Sequence, residues 1–200
     1  MGARDTISYK KAVQALNYFA QKKDGTINKM KAIKLVYFAD RLHMRKYGRP
    51  IVGDDYWAMK LGPVGSCTKR VAELDTPPTV SAYIKRYIQP GDDRKQSLIS
   101  KKPVDVSLFS NTDLECLDMV YIALGDRDQF ELAELSHTYP EWKKHEQELR
   151  DGKKRVHMDY ADFFSGAQKG DVLFDQKKTD LALAQEIFQE REEVESFFTQ

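Results

Sequence analysis

The stretch Met30–Ser66, MKAIKLVYFADRLHMRKYGRPIVGDDYWAMKLGPVGS, decides how this chain folds. Its first half reads as a helix from about Asn28 to Tyr47, with Asn28 as N-cap and Gly48 and Pro50 as the stop. At about 100° per residue, Ile33, Val36, Tyr37, Met44 and Tyr47 fall within about 60° of Asp40. Asp40 thus occupies the middle of the most apolar side, where an unpaired carboxylate is costly. It must find donors or stay protonated. Backbone N–H groups, the Trp57 indole and Lys60 are candidates, and His43, one turn along, could form a proton-transfer pair with it. Lys31, Lys34, Arg41 and Arg45 gather on the opposite side around Phe38, as a positive stripe on display. Such a stripe has three uses: a solvated face, a track for a phosphate backbone with Phe38 stacking on a base, or an interface for an acidic protein.

After Pro50 the period changes from helical to alternating. Trp57, Met59 and Leu61 point one way, and Tyr56, Ala58 and Lys60 the other, which predicts a strand with one mostly buried face. Gly62-Pro63 breaks it, and Ser66 to Leu74 follows as a short helix stopped by Pro77-Pro78.

Upstream, Tyr9, Ala12, Val13, Leu16, Phe19 and Ala20 recur at helical spacing within Ser8–Lys22, and Asp24-Gly25 ends that helix. Two consecutive helices joined by a short turn outline an αα-hairpin. Downstream, Thr79–Ile88 reads as helix, and Gln96–Lys101 with Val104–Leu108 as strands of a hairpin. Ser110 to Asp113 carries the S-x-x-D form of a helix start, ahead of Leu114, Leu117, Val120, Tyr121 and Leu124. Phe130–Ser136 is a short helix. Pro140 opens another, with Trp142, His145 and Leu149 on one side, and Tyr160–Phe164 adds a turn. The last helix runs from about Thr179 to Phe198. The expected fold is α+β and mainly helical: a compact helical domain with a small antiparallel β element inserted after the second helix.

The charge balance is Lys+Arg 32 against Asp+Glu 31, net +1, so wholesale binding to a polyanion is not demanded. The charge is uneven, however. Ser8–Arg49 holds eleven Lys/Arg against Asp24 and Asp40, and Asp180–Glu195 holds six acidic residues against Arg191. Cys67 and Cys116 are too few for a disulfide framework or a zinc site. No apolar run approaches a membrane span and nothing reads as a signal peptide, so a cytoplasmic location is expected.

Motifs for nucleotides, cofactors and metals are missing. His145-Glu146 begins the zinc-protease pattern, but Leu149 stands where the second His belongs, so neither a metal nor a cofactor is expected. Ser136, His137 and Asp40 could be imagined as the catalytic set of a hydrolase or transferase. Adjacent residues of a helix point about 100° apart, which works against a Ser136–His137 hydrogen bond. A structural role for His137 at the end of its helix is the simpler reading.

The run Lys34–Ser66, KLVYFADRLHMRKYGRPIVGDDYWAMKLGPVGS, together with Glu134-Leu135-Ser136-His137 ahead of Pro140-Glu141-Trp142, resembles the Panacea domain family. These are the SocA-like antitoxins, also described as phage-associated GepA-like proteins. The resemblance extends over roughly Tyr9 to Leu149 and departs at Gly65, where the family commonly has Pro. The expected organisation is a domain of this kind at 1–152, with a helical extension at 153–200, outside the matched part, packed on it. The resemblance implies a non-enzymatic antitoxin that binds a cognate toxin or delivers it to a protease. Asp40, Lys60, Gly62, Pro63, Ser136, His137 and Trp142 are carried over as signature positions, mostly structural. Lys31, Lys34, Phe38, Arg41 and Arg45 are the candidate partner-binding set. A nucleic-acid-binding regulator using the same stripe is the alternative. No membrane partner is expected.

Overall fold

The computed structural model describes residues 3–91, 96–166 and 171–198. Helix α1 (Ala3–Lys22) buries Tyr9, Ala12, Val13, Leu16, Phe19 and Ala20 along one side. It ends where Asp24 and Gly25 turn to positive φ and the Gly25 N–H reaches back to the Ala20 carbonyl. Strand β1 (Thr26–Asn28), which the sequence pattern did not reveal, follows directly. The Asn28 side chain accepts from the Lys31 N–H and starts α2 (Lys29–Tyr47), which closes on Gly48 in the left-handed region. A side chain at Gly48 would run into the backbone of the C-terminal helix, so the glycine is required twice over.

Strand β2 (Tyr56–Met59) turns at Lys60-Leu61 into β3 (Gly62–Gly65), which leads into α3 (Ser66–Glu73). Asp54 provides the start of α3, accepting from the Cys67 and Thr68 N–H groups and the Thr68 hydroxyl. A Cβ at Gly65 would strike that carboxylate. Helix α4 (Pro78–Tyr87) runs into β4 (Ile88–Pro90), and β5 (Ser97–Ser100) lies between β4 and β1 in one antiparallel sheet. The hairpin expected around Lys102-Pro103 does not form. Asp105 accepts from the Ser107 N–H and winds Val106–Leu108 into a 3-10 turn, while Gln14 takes up the Asp105 N–H.

A reciprocal Ser110–Asp113 capping box opens α5 (Asn111–Leu124), and Asp128 with Glu131 does the same for α6 (Gln129–Ser136). The helix expected from Pro140 is two pieces, α7 (Pro140–Lys143) and α8 (Glu146–Arg150), because the chain tightens to i→i−3 bonds at Trp142 and His145. Strand β6 (Arg155–His157) pairs with β2, giving a second sheet in the order β3-β2-β6. A 3-10 turn (Tyr160–Phe164) and α9 (Lys178–Phe198) complete the described chain. The fold is α+β, mainly helical, with two small antiparallel sheets.

The buried face of β2 is the one that carries Tyr56. Tyr56 and Ala58 are buried, whereas Trp57 and Met59 are half-covered and Leu61 is 50% exposed. The reason is Asp40, which draws the Tyr56 hydroxyl inward and so turns the alternate face out. Helix α2 is buried without interruption from Lys34 to Arg45 and forms the axis of the molecule. The α9 end of the chain rests on it through Ala184, which is buried at Gly48.

Candidate functional site

Asp40 is fully buried and satisfied on both oxygens. Oδ1 accepts from the Ile51 and Val52 N–H groups, each at 3.0 Å, and Oδ2 from Tyr56 Oη at 3.1 Å. Neither the Trp57 indole, which donates to Asp55, nor Lys60 is involved. Burial pushes the Asp40 pKa up to about 7 against the pull of these three donors. His43 does not pair with Asp40. Its Nε2 stands 3.0 Å from Asp113 Oδ1, and its Nδ1 2.7 Å from the Arg49 carbonyl. Burial works against the Asp113 carboxylate, yet His43, the Ser110 N–H, Lys11 and Arg49 together hold its pKa below the usual range.

The positive stripe is not displayed. Lys31, Lys34, Phe38, Arg41 and Arg45 are all buried, so the surface on which they would meet a toxin or a phosphate backbone does not exist in this fold. Each cation instead holds a distant segment. Lys31 Nζ donates to the Gly125 carbonyl at 2.5 Å and Lys34 Nζ to the Pro63 carbonyl at 2.8 Å. Arg41 meets Glu141 at 2.6 Å, with its guanidinium 4.0 Å above the Tyr139 ring and 4.3 Å above Phe174. Arg45 donates to the Phe163, Ser165 and Phe174 carbonyls and to Gln176. Phe38 packs its ring against Tyr37, Tyr139 and Phe174 rather than offering it for stacking. Carbonyls and one carboxylate on other elements thus replace the water the stripe was expected to face.

Six of the sequence-derived positions meet at one turn. Gly62, at φ +93°, is packed so closely that a Cβ would collide with Ser136 Oγ and Lys34 Nζ. Pro63 supplies the carbonyl for Lys34. Ser136 donates to the Ala133 carbonyl at 2.7 Å, and the His137 ring stacks on Trp142 with 3.8 Å between centres. Trp142 Nε1 donates to the Met59 carbonyl at 2.9 Å and ties α7 to β2. Burial, with Lys34 nearby, lowers the His137 pKa and favours its neutral ring; burial alone lowers that of Lys34 to about 7. Asp40 is not in this group, since its donors come from residues 51–56. Ser136, His137 and Asp40 therefore make no relay. Among the described residues no cluster of His, Cys, Asp or Glu has the makings of a metal site, and no helix is long and apolar enough to cross a membrane.

Lys60 is the signature position that faces solvent. It stands between two surface depressions. One, of about 420 Å³, is bounded by His137, Trp142, Glu146, Leu149 and Arg150. The other is a groove of about 590 Å³ walled by Met30, Ile33, Met59, Leu61 and Val64, with buried Lys34 at its base. Lys29, Lys60, Lys69 and Lys154 border this groove. The sequence pattern did not reveal it, because the alternation at 56–61 leaves open which face is buried. Glu141 carried no sign of its role beyond being an acid between Pro140 and the buried Trp142.

The molecule is thus a mainly helical α+β domain in which the second helix is a buried strut pinned by its own charges, and a lysine-bordered groove is left open beside it. The model of the SocA-like antitoxin, Panacea domain family matches residues 33–143, more than half of the chain, and the chain belongs to that family. No curated protein and no solved structure matches it.

Proposed function

We propose that this protein is the antitoxin of a bacterial or phage toxin–antitoxin pair, which neutralises a cognate toxin in the cytoplasm by binding it directly. Presenting the bound toxin to a protease is a use the same contact would serve. Membership of an antitoxin family across residues 33–143 carries this reading. The polar signature residues support it. Asp40 and Ser136 are engaged in internal hydrogen bonds and the His137 ring is stacked on Trp142, so their observed contacts are those of a scaffold. The nucleic-acid reading relied on the stripe of α2, and burial of that stripe removes its support.

The test is co-expression with the adjacent gene. Growth arrest by the neighbour alone, relief by this protein, and recovery of a stable complex are expected. A neighbour that remains toxic in the presence of folded protein, with no complex recovered, would refute the proposal.

A further inference from the structure

We propose that the groove between α2 and the β2–β3 hairpin is the toxin-docking site, and that it accepts an acidic amphipathic segment of the toxin. This rests on the antitoxin reading above and adds the chemistry of the partner. The segment's apolar side chains would lie between Met30, Ile33, Met59, Leu61 and Val64, and its carboxylates on the surrounding lysines.

Three observations carry the assignment. First, the wall is apolar and open, because the Tyr56–Asp40 bond turns Met59 and Leu61 outward. Second, the border is positive and largely unneutralised. Lys69 pairs with Glu73 at 2.6 Å, but Lys29, Lys60 and Lys154 have no acidic partner among the described residues. These lysines come from α2, the hairpin turn and the approach to β6, so matching them takes several carboxylates spaced around apolar groups. A polypeptide supplies that pattern; a single small anion does not. Third, the described residues lining the groove include no aromatic ring on which a base could stack, which favours a peptide over single-stranded nucleic acid.

The experiment titrates the full-length protein against a fluorescent synthetic helix of about 18 residues, roughly five turns, with Leu on one face and Glu elsewhere. The same helix with Lys in place of Glu, and a single-stranded oligonucleotide, serve as controls. Saturable binding of the Glu helix that weakens with salt is expected. Lys60→Glu with Lys154→Glu, and separately Leu61→Asp, should each weaken it about tenfold or more. These positions are exposed, and circular dichroism melts check that the variants fold. Equal binding of the Lys helix or the oligonucleotide would overturn the assignment, as would variants that bind unchanged. So would self-association of the chain that the same variants abolish, which would make a second copy the occupant. If the Lys60→Glu, Lys154→Glu protein still captures and neutralises the toxin, the groove assignment fails and the antitoxin reading stands. If the wild-type protein captures no toxin, the antitoxin reading fails whatever the peptide does.

Discussion

Arg41 Nε meets Glu141 Oε1 at 2.6 Å across 100 residues of chain, and neither side chain touches solvent. Tyr37 Oη donates to the same carboxylate oxygen at 2.6 Å. This contact joins α2 to α7 and places two charges in the core, where each is tolerable only because the other is there. Glu141→Ala should therefore cost about 3–5 kcal/mol, since it leaves a buried guanidinium without its counter-charge. The paired replacement Arg41→Met with Glu141→Leu should cost less than either single change. Urea denaturation of Arg41→Met, Glu141→Leu and the double variant gives the coupling directly; additive losses would show that the pair does not act as a unit.

Gly62 and Gly152 both hold a positive φ that glycine adopts freely and a side chain would strain, but Gly62 is crowded and Gly152 is open. Their φ angles are +93° and +100°, yet nothing lies within 4 Å of a Cβ at Gly152. Gly152→Ala should lose only the backbone term, about 1–3 kcal/mol. Gly62→Ala should lose about 1–3 kcal/mol more, because Ser136 and Lys34 must move. Thermal melts compare the two, and equal losses would contradict the close packing at this turn.

Asp40 makes stability fall as pH rises. Its folded pKa, about 7, lies above the value of about 3.9 for an unfolded Asp, so the folded chain binds the proton more tightly. Its contribution is complete below about pH 4 and is lost as pH climbs through 7, with a slope approaching ~1.4 kcal/mol per pH unit. Denaturation midpoints of Asp40→Asn and wild type, taken from pH 4 to 7, should diverge in slope, with the variant flatter. Parallel curves would mean that Asp40 is ionised throughout.

Lys34 acts in the opposite sense at higher pH. Its folded pKa of about 7 lies below the ~10.4 of an unfolded lysine, so the folded chain gives up the proton more readily. Stability from this group is complete above about pH 10 and is lost as pH falls toward 7. Lys34→Met should flatten the rise between pH 7 and 10, and its loss of the donor to the buried Pro63 carbonyl should cost about 1–3 kcal/mol at all pH values. A variant that keeps the wild-type slope would place the titration elsewhere.

What was legible in the sequence is local. The Asn28 and Ser110 caps, the Gly48 stop and the bounds of α2, α3, α5 and α9 depend on atoms a few residues away, so short windows of sequence contain their causes. The signature positions around Gly62 were likewise found as motifs, although nothing in their spacing said that Lys34 would join them. Strand β1 escaped because three residues carry too little pattern, and its partner β5 lies some seventy residues on.

The burial of the α2 stripe could not be read from α2. The acceptors for Lys34 and Arg45 lie 29 and 131 residues away, and a charge is solvated or buried according to what the rest of the chain brings to it. The face of β2 was undecidable for a similar reason. Tyr56, Ala58, Trp57 and Met59 are all apolar enough for a core, and only the reach of Tyr56 to Asp40 breaks the tie. Sequence determined where the capped helices begin and end, because those are contests between neighbours. Tertiary structure decided which side of each is hidden, because hydrogen-bond partners for buried charge come from far along the chain.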